Sequence, residues 1–131
     1  MPQAPASTAS LPEVSPLDPA AVQRLLDLDP TGANQLLARV GRAFESSIGR
    51  LIPQLDTALA AKDWEGVRSV AHTLKSSMAS IGALKLSVLC ADIERMIRDG
   101  ETQGLVGLVD GLHADIGAVS DSLRALIDSR A

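Results

Sequence analysis

Residues 64–82 read WEGVRSVAHTLKSSMASIG. Val67, Val70, Leu74, Met78 and Ile81 recur three and four places apart, which is the period of one buried helix face. Asp63 is a good N-cap, Glu65 suits the first turn, and Gly82 marks the end. The spacing therefore predicts a helix from about Trp64 to Ile81. A helix turns about 100° per residue. With His72 at zero, Val67, Val70, Leu74, Ser77 and Ile81 fall within roughly 40° of the opposite pole, and Met78 only slightly further round. His72 is expected to point away from the core of its own helix. Its outward neighbours are Glu65, Arg68, Ser69, Lys75, Ser76 and Ala79. Ser76 and Ala79 are short, so the ring is open to another macromolecule, and Lys75 brings positive charge near any anion attached to it. A lone exposed histidine is most often a solvated side chain, so the surrounding string has to carry any functional reading.

Working outward, the same periodicity repeats. Asp18-Pro19 is a helix start, with Val22, Leu25, Leu26 and Leu28 giving a short helix one apolar face before Asp29-Pro30-Thr31-Gly32 breaks it. Leu37, Val40, Phe44, Ile48, Leu51, Leu55 and Leu59 form a long stripe with Pro53 inside it. Proline would clash with the carbonyl of Gly49, so a kink is expected there rather than two helices. Leu86, Leu89, Ile93, Met96 and Ile97 define a fourth helix over about 84–98, closed by Asp99-Gly100. Leu105, Leu108, Leu112, Ile116, Val119, Leu123 and Ile127 define the last, although its glycines leave its start open. No strand pattern competes. The expected fold is all-α: an antiparallel four-helix bundle with an additional short N-terminal helix.

Composition agrees with that fold. The chain has 131 residues, fitting one domain, and is 46% hydrophobic but only 2% aromatic, so its core must come from Leu, Val, Ile and Ala. A net charge of −4 with no basic stripe gives nucleic acid and anionic membranes no electrostatic footprint. No apolar run approaches the roughly 20 residues needed to span a bilayer. The single cysteine, Cys90, cannot form an intrachain disulfide and reads as a small core hydrophobe; a cytoplasmic location fits. Residues 1–16, MPQAPASTASLPEVSP, read as a flexible tail or linker, without the basic start and apolar stretch of a signal peptide. Residues 17–131 read as the folded domain.

The string AHTLKSSMASIGA at 71–83, continuing through Leu86, Leu89-Cys90 and Glu94, resembles the histidine-containing phosphotransfer (HPt) domain family, whose pattern is approximately AHxLKGSSxxxGAxxLxxLCxxLE. The likeness extends over about residues 17–128. It implies a helical bundle in which His72 accepts a phosphoryl group from a receiver-domain phospho-aspartate and passes it to an aspartate of another receiver. It implies that Lys75 helps to neutralise the phosphoryl oxygens, and that Glu94, at the position of a family Glu or Gln, orients the imidazole through Nδ1 so that Nε2 attacks. The outward residues Arg68, Ser69, Ser76 and Ala79 would then belong to the receiver-docking surface. The implied partners are the receiver domains of a hybrid histidine kinase and of a response regulator, with the chain itself a monomer. No cofactor or metal is expected on this chain, Mg²⁺ being held by the receiver. A phosphoryl carrier of this kind has no ATP site, and the sequence has no Walker-type loop.

The sequence departs from the pattern at Ser76, where glycine is usual, and at Met78, where a small residue is usual. His113 has no lysine three places on and reads as a surface residue of the last helix. Two other readings stay open. One is a helical adaptor that binds receiver or kinase domains without carrying phosphate. The other is the dimerisation and phosphoacceptor part of a histidine kinase, which normally has an acidic residue where Thr73 follows His72.

Overall fold

The computed structural model describes residues 16–129. Its regular elements are five helices: α1 Pro19–Asp27, α2 Leu36–Ala60, α3 Trp64–Ser80, α4 Leu84–Arg98 and α5 Leu105–Ser129. The stretch expected to be a tail, 1–16, lies outside the described residues except for Pro16, as do residues 130 and 131 at the end of the expected domain.

The starts and stops follow local chemistry. The Asp18 side chain accepts a hydrogen bond from the Ala21 amide at 2.9 Å, and Pro19 fills the first helical position. Asp63 caps α3 in the same way through the Gly66 amide at 3.1 Å. Gly82 takes φ +82° between α3 and α4. A Cβ there would also lie 3.0 Å from the Ala21 Cβ. That tight approach lets the Asp18 amide donate to the Gly82 carbonyl at 2.7 Å, which ties the beginning of α1 to the α3–α4 turn. Helix α2 continues through Pro53 as one element, in line with the expectation of one helix rather than two. One feature differs from the sequence expectation. Leu28 does not join the apolar face of α1: it is the C-cap, and it is 72% exposed. One turn beyond Leu25, the chain has already left the helix, so the periodicity no longer points that side chain inward.

Helices α2 to α5 pack each against the next, and α2 against α5 closes the ring, giving the four-helix bundle. Phe44, Leu51 and Leu55 of α2, Val67, Leu74 and Met78 of α3, Leu86 and Ile93 of α4, and Leu105, Leu112 and Val119 of α5 form its buried centre. Val109 joins them, off the stripe read from the sequence for α5. Each fully buried leucine contributes about 1.5–3 kcal/mol relative to exposure, so this interior holds α3 and α4 rigidly side by side. Ser77, expected near the core pole of α3, is only half-buried, and its hydroxyl donates back to the Thr73 carbonyl at 3.5 Å. Met78 is wholly buried and fills core. Among the described residues no helix is long and apolar enough to cross a membrane.

Candidate functional site

The outward face of α3 meets the edge of α4 at one cluster. His72 projects from α3 with 65% of its side chain exposed. Its Nδ1 lies 2.9 Å from Glu94 Oε2 on α4. The other oxygen, Oε1, is buried with no hydrogen-bond partner among the described residues, and the Lys75 ammonium 2.7 Å away compensates it by charge. One carboxylate therefore holds both the imidazole and the lysine. Nε2 makes no hydrogen bond among the described residues.

The geometry follows from helix register. His72 and Lys75 are three apart on α3 and share a side of the helix. Glu94 sits at the edge of the buried stripe of α4, beside Cys90 and Ile93. The Ser87 hydroxyl, two turns before Glu94, donates to the Lys75 backbone carbonyl at 3.1 Å and fixes α4 against this part of α3.

Burial shapes the chemistry. Glu94 is only 8% exposed. Burial pushes its pKa up, but the hydrogen bonds and charges of Lys75 and His72 outweigh it and hold the carboxyl below its ordinary value. Glu94 is thus a carboxylate, ready to accept from an Nδ1–H donor. The Cys90 thiol beneath it is wholly buried and pushed up to about 12, by desolvation first and then by the Glu94 charge, which Lys75 partly offsets. It stays a neutral thiol and packs as a hydrophobe.

The structure brings His72, Lys75 and Glu94 into direct contact. It places Arg68, Ser69, Ser76 and Ala79 on the exposed face around them, but none of these four is hydrogen-bonded or ion-paired to His72. Arg68 is drawn back along its own helix to Glu65, with both guanidinium Nε and Nη2 on the carboxylate. That pairing lowers the Glu65 pKa and raises that of Arg68. Ser76 is exposed, one turn beyond His72. Sequence reasoning missed three contacts. Lys75 sits on Glu94 rather than standing free beside the ring. Ser87 bonds across to α3; its position seven before Glu94, hence on the same face of α4, was the available signal. His113 is a surface residue of the last helix as expected, but its Nε2 lies 2.7 Å from Asp56 Oδ1 on α2.

A helical bundle that displays a carboxylate-held histidine on an outer helix face agrees with the fold that the sequence resemblance implied. The profile of the Hpt domain family matches residues 39–122, well over half of the chain. The chain belongs to the Hpt domain family, and so takes a phosphotransfer role in two-component signalling. Hpt domains are phosphoryl carriers rather than kinases, and they interact with receiver domains in phosphorelays. The fold is similar to that of histidine-containing phosphotransfer protein B (HptB) from Pseudomonas aeruginosa PAO1, with a TM-score of 0.73, 22% identity, and 88% of this chain and 97% of that one covered. Comparison with curated protein sequences gave no match.

Proposed function

We propose that His72 is the phosphoacceptor, and that the chain takes its phosphoryl group from a phospho-aspartate on the receiver of a hybrid histidine kinase and gives it to an aspartate on a response regulator. The observation that supports this most is the pairing of Nδ1 with the buried Glu94 carboxylate at 2.9 Å, which leaves Nε2 of an exposed ring unpartnered among the described residues. With Nδ1 protonated and donating to Glu94, the Nε2 lone pair is the nucleophile. It forms the N–P bond as the P–O bond to the donor aspartate breaks, and the electron pair leaves with that carboxylate. The product ring carries phosphate on Nε2 and a proton on Nδ1, so it is positive. The Glu94 charge beside it offsets that development, as the buried carboxylate does for the imidazolium of a catalytic triad.

Lys75 supports transfer in two ways. Its ammonium balances the second Glu94 oxygen in the resting site, and it is the cation on the His72 face best placed for the incoming phosphoryl oxygens. In this reading Mg²⁺ belongs to the partner receiver, not to this chain, which works as a cytoplasmic monomer. Ser76 replaces glycine's flat surface with a small hydroxymethyl group that a receiver can still approach. The outward residues Arg68, Ser69, Ser76 and Ala79 are the docking surface.

The test is to incubate the full chain with a phosphorylated receiver and follow acid-labile, alkali-stable label. Label should appear on wild type and vanish in His72→Gln. Label that persists in the variant overturns the assignment. Binding without any label would instead support a receiver-binding adaptor.

A further inference from the structure

A groove runs between α3 and α4 alongside the His72–Glu94 pair. It is lined by Glu65, Arg68, Glu94, Ile97 and Arg98. Arg68 lies four residues before His72 on α3, and Arg98 four residues after Glu94 on α4, so both are one helical turn from the pair and on its side of their helices. The charges in this groove do not cancel. Glu65 is taken up by Arg68. Glu94 is taken up by Lys75 and His72. Arg98 makes no ion pair among the described residues and is exposed. The uncompensated charge beside the phosphoacceptor is therefore one guanidinium, over a floor made partly by Ile97.

We infer that Arg98 is a docking residue that receives a carboxylate side chain of the receiver domain in the groove beside His72. The inference rests on the reading of His72 as phosphoacceptor. That reading supplies the partner's chemistry, since a receiver that holds Mg²⁺ with carboxylates beside its phospho-aspartate brings an acidic surface up to His72 and this groove. A guanidinium binds a carboxylate through two parallel hydrogen bonds, so it sets orientation as well as adding attraction. Arg98 lies on the Glu94 side of the ring and acts on the partner's approach, not on phosphorus. Glu65, by pairing with Arg68, reduces the share of that load that the second guanidinium of the docking surface carries.

Arg98 also stands in the last turn of α4, where a cation suits the helix dipole. Arg95 shares that turn but pairs with Asp92 at 3.6 Å and does not line the groove. It is the internal control for a purely structural role. The experiment uses the full chain and a receiver domain that exchanges phosphate with wild type, and reads the dissociation constant of the unphosphorylated receiver and the half-saturating receiver concentration for transfer. Arg98→Ala should raise both by about 5- to 20-fold at roughly 50 mM salt, and by less than about threefold at roughly 0.5 M, because rim charges act through screened attraction. Arg98→Lys should recover part of the loss, and Arg95→Ala should change either value by less than about twofold. Glu65→Gln, which releases Arg68, should tighten binding.

Phosphoramidate, a small phosphoryl donor, labels histidine without a receiver and provides the second readout. The Arg98→Ala loss in the receiver reaction should exceed any loss in phosphoramidate labelling by at least about fivefold. Equal losses in both, equal effects of Arg95→Ala and Arg98→Ala, or a loss that ignores salt would each overturn the docking role. If phosphoramidate labels His72 and receivers exchange normally with Arg98→Ala, only this inference falls. If no receiver exchanges with wild type, the phosphoacceptor reading falls and takes this one with it.

Discussion

The two histidines of this protein make the same kind of bond and differ in everything that matters for chemistry. Each joins one helix to another through a carboxylate: His72 of α3 to Glu94 of α4 at 2.9 Å, and His113 of α5 to Asp56 of α2 at 2.7 Å. At His72 the bonded atom is Nδ1, so Nε2, the nitrogen at the far end of the ring, remains unpartnered. At His113 the bonded atom is Nε2 itself, and the remaining nitrogen is the one closer to its own backbone. The Glu94 side chain is 11% exposed and is shared with a lysine; that of Asp56 is 49% exposed and contacts no lysine among the described residues. On the proposed reading, a fixed carboxylate and an open outer nitrogen are what suit His72, and not His113, to act as a nucleophile.

The largest effect that would break this contrast is on phosphoryl labelling itself. His72→Gln should abolish label from a phosphorylated receiver, whereas His113→Gln should retain at least about half of wild-type transfer, as a solvated pair remote from the phosphoacceptor should. Persistent label in the first variant, or its loss in a folded second variant, would erase the distinction. Next in size is Glu94→Ala. Losing the group that sets the ring's tautomer should slow transfer by about 10- to 100-fold, by analogy with histidine-orienting partners elsewhere. Asp56→Ala should change the rate by less than about twofold, since it holds a ring with no assigned chemistry. Comparable rate losses in the two would show that the buried carboxylate has no special part. Lys75→Ala should reduce transfer by about tenfold, less than the loss of a preorganised donor in a closed site because the lysine is partly exposed, and Lys75→Arg should restore part of it.

The smallest effects are on stability. Because the folded pKa of Glu94 is depressed, its contribution to stability is complete above the unfolded carboxylate value of 4.5 and disappears as pH falls through the lower folded value. Wild type should therefore lose stability relative to Glu94→Gln as pH drops below about 4.5, measured by urea unfolding across that window. A constant difference between the two proteins at every pH would contradict the depressed value. Asp56→Ala should cost no more than about 1 kcal/mol at neutral pH, as half-exposed pairs do.

Much of the architecture could be read before any coordinates. Asp18 and Asp63 announced two helix starts, and Gly82 announced a stop, because capping depends on residues three apart and on one backbone angle. The outward direction of His72 followed from counting 100° steps. Leu28 shows the limit of that counting: it was in phase with its helix, but the helix ended at Asp27. At the site, position alone put Glu94 to one side of the apolar stripe, compatible with an ordinary solvated glutamate. Whether it would be buried depended on how closely α4 packs on α3, which no periodicity within α4 encodes.

The amino-acid sequence by itself determined the helices, their inward faces, and the placing of His72 and Lys75 on one side of α3, because these depend on interactions between residues a few positions apart. Tertiary structure alone decided that one carboxylate, 22 residues from His72, would hold both the ring and the lysine, and that Arg98 would remain an uncompensated charge beside them. Those outcomes turn on the separation and register of two packed helices. A shift of one residue in that register turns a side chain through about 100°, and would exchange a held imidazole for a free one.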